Sequence, residues 1–176
     1  MPTILLEIDP TDSSLKKTYI WASGEVLAQH DGDYTAEKYF YFHDRLGSVR
    51  EIIDSFDNVV NHYTYGPFGQ TVEQDDSTSL NNNFMFTGQY YDSEISQYYL
   101  RARQYDPQLM RFSTRDRVEG KKSEPLTLHR YLYCLNAPVN RVDLNGRSAW
   151  SIAGALVCGD AVYSASIYTI ATGLAN

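Results

Sequence analysis

Residues 111–147 hold four acids, among them Asp116 and Asp143 near the two ends, and Arg115 stands beside the first. Two carboxylates close enough to share a proton can hydrolyse a peptide bond. One takes a proton from water while the other, protonated, polarises the scissile carbonyl. A guanidinium such as that of Arg115 would hold one member ionised and help stabilise the oxyanion. Asp116 and Asp143 lie 27 residues apart, so only a folded segment brings them together. A plainer role is open to the same residues. An Arg-Asp pair in a loop is commonly a surface ion pair or a turn, and Asp143, ahead of Asn145-Gly146, fits a turn-capping acid.

The elements that must carry these acids are strands. Tyr19, Tyr41 and Tyr63 recur every 22 residues, and each is followed five or six places later by a glycine: Gly24, Gly47 and Gly69. Between them lie runs rich in aromatic and β-branched residues, such as Lys17 to Trp21, Lys38 to Phe42 and Asn58 to Tyr65. Gly32-Asp33 and Asp57-Asn58 are natural turns. Each unit reads as a β-hairpin of about 22 residues, and because a lone hairpin is marginal in water, stacking into one sheet is expected. Residues 73–83 read as a polar, acidic loop, with Asp75 and Asp76 as solvated charges.

Composition agrees with one mainly β domain. The 176 residues suffice for a core of their own. The 15 Tyr against 7 Phe suit strands with one face covered and a wet rim, since a buried Tyr needs a partner for its hydroxyl. The net charge of −7 argues against nucleic acid as a partner. That charge is uneven: residues 1–110 carry 7 basic and 17 acidic side chains, whereas 111–147 carry 8 and 4. A basic segment on an acidic body favours docking of one on the other, though a solvated basic face fits the charge equally. Cys134 and Cys158 have no metal-ligand spacing and read as buried thiols. His43 and His129 read as packed, hydrogen-bonded rings, and no phosphate-cradling loop, nucleophile elbow or zinc signature accompanies them or His62, so no cofactor is expected.

Seven ordered motifs over roughly residues 15–147 carry a family resemblance. They are Tyr41-Phe42-His43-Asp44-Arg45-Leu46-Gly47-Ser48-Val49-Arg50, Tyr65-Gly66-Pro67-Phe68-Gly69, Phe86-Thr87-Gly88-Gln89-Tyr90-Tyr91-Asp92, Tyr98 to Pro107, Arg111-Phe112, Arg130-Tyr131 and Asn136 to Asp143. Together they resemble the core domain that ends Rhs and YD-repeat proteins, related to the C components of Tc toxins and to the teneurin YD shell. The resemblance implies a spiralled β-sheet wound into a shell, a C-terminal plug, and a variable passenger that bacterial members release by aspartyl self-cleavage. It puts Asp116 and Asp143 at the family's acids and the cut between Arg147 and Ser148. Leu144 stands where the family usually has Pro, and Arg147 where it usually has Leu.

The expected organisation is a YD-repeat shell fragment over 1–110, a loop-rich closing plug over 111–147 and a short apolar passenger over 148–176, with a short C-terminal helix. Three hairpins cannot enclose a cavity, so upstream strands of a longer precursor are expected partners, pairing at an open sheet edge near residues 1–20. The chain's own C-terminal segment is the other. No signal peptide is expected within these residues, and secretion or cell-surface display as part of the precursor is expected. The passenger holds no His, Lys, Arg or Glu, so it lacks the groups a nuclease needs. Its length would span a membrane, but Asp160 near its middle opposes that. The alternative to a self-processing shell is a non-catalytic structural or adhesion fragment whose tyrosine-rich strands contact surface glycans.

Overall fold

The computed structural model describes residues 6–8, 11, 13–22, 24–32, 37–76 and 80–151. Leu6–Ile8 (β1), Leu15–Ala22 (β2), Glu25–Asp31 (β3), Lys38–His43 (β4), Val49–Ile53 (β5), Val59–Tyr65 (β6) and Thr71–Asp76 (β7) form one seven-stranded antiparallel sheet in chain order. The expected hairpins are thus β2–β3, β4–β5 and β6–β7. Strand β1 forms one edge of this sheet, where the open edge was expected. A second sheet runs in the order β11-β10-β9-β8, from Tyr90–Asp92 (β8), Gln97–Leu100 (β9), Arg103–Asp106 (β10) and Arg111–Phe112 (β11). Arg141–Val142 (β12) pairs with Trp150–Ser151 (β13), and the rest of residues 113–149 is turns and short 3-10 segments. The expected C-terminal helix, Cys158 and Asp160 lie outside the described residues.

Register explains the tyrosine repeat. Tyr41 pairs with Ile52 and Ile52 with Asn61, so these residues share one face of the pleat, and all three are buried. Tyr19, Tyr41 and Tyr63 bury on this side against residues from 80 onward. Phe84 meets Tyr19 and Trp21 edge-on, at 4.9 and 5.1 Å between ring centroids. Phenol hydroxyls then tie strands to turns: Tyr65 Oη donates to Val49 O (2.8 Å), Tyr98 Oη to Gly69 O (3.1 Å) and Tyr105 Oη to Phe68 O (2.7 Å). Burial raises the pKa of all three phenols, which keeps them neutral donors.

The turns share one chemistry. Asp44 Oδ1 accepts the N–H groups of Leu46 (2.8 Å) and Ser48 (3.0 Å), and Asp54 Oδ1 accepts those of Phe56 (2.8 Å) and Asn58 (2.9 Å). In each the fourth residue is left-handed, Gly47 at φ 78° and Asp57 at φ 64°. Gly69 holds the same place in its turn at φ 85°, and a Cβ there would lie 2.5 Å from a ring carbon of Phe86. Gly69→Ala is therefore expected to cost about 1–2 kcal/mol for the backbone and a further 1–3 kcal/mol or so for displacing Phe86. Urea unfolding against Gly24→Ala, where a Cβ meets open space, separates the two costs.

Residues 73–83 depart from the expected loop. Glu73 to Asp76 belong to β7 and pair with β6 from Thr64 to Asn61. An outermost strand of the described sheet needs a neighbour on one side only, so acids are tolerated there, and their charge discourages further pairing.

Candidate functional site

Residues 111–151 wrap back onto β10. Phe112 N–H donates to Tyr131 O (2.9 Å) and Asp116 N–H to Arg130 O (2.9 Å), which lays the Asp116 segment along Tyr131. Tyr133 then enters the core, stacked on Tyr105 at 4.1 Å and edge-on to Phe112 at 5.8 Å. Cys134, Leu135 and Asn136 follow with φ of 48°, 52° and 61°, a left-handed reversal that sends the chain toward β12. Cys134 is a buried free thiol whose pKa burial pushes up to about 12, so it remains protonated.

This path brings Asp116 and Asp143 to one guanidinium, that of Arg103. Arg103 Nη1 lies 3.1 Å from Asp116 Oδ2, and Nη2 lies 3.7 Å from Asp143 Oδ2. Nε donates to Gly146 O (2.5 Å), Nη1 also reaches Arg130 O (3.3 Å), and the group sits 3.5 Å over the Phe112 ring. Burial lowers the Arg103 pKa while both acids oppose that shift. Arg115, expected to supply the cation, is exposed. Its neighbour in sequence turns inward to Arg103 while Arg115 faces water. Arg103 carried a sequence signal that was missed: it lies two residues before Tyr105 in a strand and so shares the inward face.

Asp143 is 2% exposed. Its Oδ1 accepts the N–H groups of Asn145 and Arg147, both at 3.2 Å, and Gly146 is left-handed at φ 70°. That is the turn built by Asp44 and Asp54, so the turn-capping geometry is present alongside the contact with Arg103. Burial raises the Asp143 carboxyl above its usual pKa, opposed by the N–H groups and the Arg103 charge. Asp116 is more open at 21% side-chain exposure, and its Oδ1 accepts the Val118 N–H at 2.8 Å. Both acids, Arg103, Arg147 and Ser148 line one cleft of about 280 Å³.

His129, expected as a packed ring, is exposed and lines the same cleft. His43 is half-buried against Tyr41, and burial lowers its pKa, opposed by Glu25 and Asp44. His62 Nδ1 lies 3.4 Å from Glu51 on the sheet.

Comparison with known proteins places this architecture. The family model described as teneurin YD-shell matches residues 8–139. The tRNA(Glu)-specific nuclease WapA of Bacillus subtilis subsp. natto is 33% identical over 161 residues, covering 91% of this chain and 7% of that protein. Salivary gland surface protein 1 of Aedes aegypti is 36% identical over 107 residues, 60% of this chain and 3% of that one. Among solved structures, the TcdB2–TccC3–Cdc42 complex superposes with a TM-score of 0.63 at 19% identity, over 74% of this chain and 6% of that one. The Photorhabdus luminescens Tc holotoxin pore gives 0.63 at 18%, over 80% and 7%. The chain thus spans well under a tenth of each. With the model match covering most of the chain, the in-order hairpins and their shared aspartate turns have a common origin: this chain belongs to the teneurin YD-shell family.

Proposed function

We propose that this chain closes a toxin-type Rhs/YD-repeat shell and cuts its own backbone at Arg147–Ser148, releasing the segment from Ser148 onward that the shell encloses. The observation that carries this reading is the convergence of Asp116 and Asp143 on Arg103 in a cleft that also contains Arg147 and Ser148. Buried Asp143, with its raised pKa, is the better proton donor to the Arg147 carbonyl. The more open Asp116 is the better base toward water. In place of Arg115, Arg103 supplies the cation beside Asp116, with Nη1 at 3.1 Å from Oδ2. The upstream strands of a longer precursor would pair with β1, and such a shell would act outside the cell or on its surface. Matches to a Tc holotoxin and a surface protein support that location.

Mass spectrometry of the purified chain tests the cut. A piece ending at Arg147 is expected, absent in Asp116→Asn and Asp143→Asn. In Asp143→Asn the amide side chain keeps a carbonyl oxygen for the two turn N–H groups, so the variant tests the acid rather than the turn. Because burial raises the Asp143 carboxyl above its usual pKa, cutting should be faster in mildly acidic than in mildly alkaline buffer. Folded protein that stays intact throughout that range sinks the proposal.

A second reading has its own support. Asp143 repeats the Asp44 turn, and Arg103 is fully engaged by partners, as in a purely structural plug. Under it both amide variants and the parent remain uncut.

A further inference from the structure

Three consecutive residues, the Arg101-Ala102 turn after β9 and the first residue of β10, reach three consecutive carbonyls of the loop after β12. Arg101 Nη1 donates to Leu144 O, the Ala102 N–H, bonded first to Leu100 O (2.6 Å), also reaches Asn145 O (3.3 Å), and Arg103 Nε donates to Gly146 O (2.5 Å). The next carbonyl, that of Arg147, accepts no hydrogen bond among the described residues. The Arg147 N–H, in contrast, is held by Asp143 Oδ1 (3.2 Å) and Asn145 Oδ1 (3.0 Å). The loop is pressed close: a Cβ on Gly146 would collide with Leu100 O.

Arg101 is spent on this contact. It adopts a left-handed φ of 58°, and it has no carboxylate partner among the described residues. Its Nη1 goes to Gln89 Oε1 (2.7 Å) and Leu144 O, while its buried Nε has no partner. Burial without a counter-charge lowers its pKa. A cation held under those terms is anchored for its geometry. Meanwhile the Leu144 and Arg147 side chains, which depart from the family pattern, are both exposed.

We infer that the bond to be cut is chosen by this backbone clamp, with Arg101 as a positioning residue, and not by the side chain that precedes the bond. The inference rests on the self-cleavage proposed above. Water adds across the Arg147–Ser148 amide, its hydroxyl going to the carbonyl carbon and its proton to the Ser148 nitrogen. The carbonyl that the clamp leaves unbonded is the one whose lone pairs are open to a protonated carboxyl. The clamp therefore counts residues from Gly146, and Arg147 is cut because it comes next.

Product masses from the full chain decide this. With one alanine inserted between Gly146 and Arg147, the cut is expected after the inserted alanine; a cut that follows Arg147 overturns the inference. Arg147→Ala and Arg147→Leu should be cut at the native position, and loss of cutting in both overturns it. Arg101→Met should slow cutting by about tenfold to a hundredfold and spread it to adjacent bonds, with Arg101→Lys recovering part of the rate at the native bond. If Arg101→Met does not fold, Gln89→Leu, which removes the anchor of Arg101 together with a hydrogen bond to Thr87 O, should show the same spread. A native rate and position in the folded variant overturns the role of Arg101. An uncut parent, or cutting that survives Asp116→Asn and Asp143→Asn, instead defeats the self-cleavage proposal itself.

Discussion

Arg103→Met is expected to lower stability at neutral pH by about 3–5 kcal/mol, the usual result of stripping one partner from a buried ion pair. The substitution leaves Asp143 buried without its counter-charge and frees Asp116 from the same fork. It also removes the donor to Gly146 O and the cation over Phe112. Urea denaturation at neutral pH measures the loss. The sign of its pH dependence follows from Asp143. Its folded pKa already lies above the ordinary value of 3.8, and loss of the Arg103 charge moves it higher. A carboxyl raised on folding favours the folded state below its unfolded pKa, and that advantage disappears as pH rises through the folded pKa. The deficit of the variant should therefore shrink as pH is lowered toward about 4. A deficit independent of pH would mean that lost packing outweighs the stranded charge.

Tyr133→Ala should be as costly, about 3–5 kcal/mol, as for other large aromatic truncations. Tyr133 is 1% exposed and meets Phe86 from the shell side, Tyr105 from β10 and Phe112 from β11, with centroids at 6.5, 4.1 and 5.8 Å. No other ring described here touches all three. Tyr133→Phe keeps the stacking and loses only hydroxyl contacts, so about 1 kcal/mol is expected. The same urea experiment on both variants separates ring from hydroxyl. Nearly equal losses would mean that the ring contacts contribute little.

The hairpins were legible because their period is written in side chains. A Tyr every 22 residues faces the core, and a Gly or Asp takes the left-handed corner of each turn. The acidic run Glu73 to Asp76 hid a strand because nothing in its composition favours one; pairing with β6 decides it. The two acids were named through family motifs, since 27 residues of irregular chain leave no periodicity to follow. Their cation was sought at Arg115, next in sequence, whereas strand geometry supplies Arg103 from the opposite side. His129 stands directly before the family motif Arg130-Tyr131, yet its segment runs over the surface of the cleft. The clamp on Leu144 to Gly146 is made of main-chain carbonyls, which no side-chain pattern reveals.

The pairing of Val142 with Trp150 and Arg141 with Ser151 closes a loop around the Arg147–Ser148 bond. Ala149 packs against the core on the far side of that bond, and Asp143 grips the near side. Severing the bond would thus open a covalent link without undoing either flank. Under the proposed cut, scission and departure would be separate events: a denaturing gel would resolve two pieces while a native column still carries one particle, until something peels the short ladder apart.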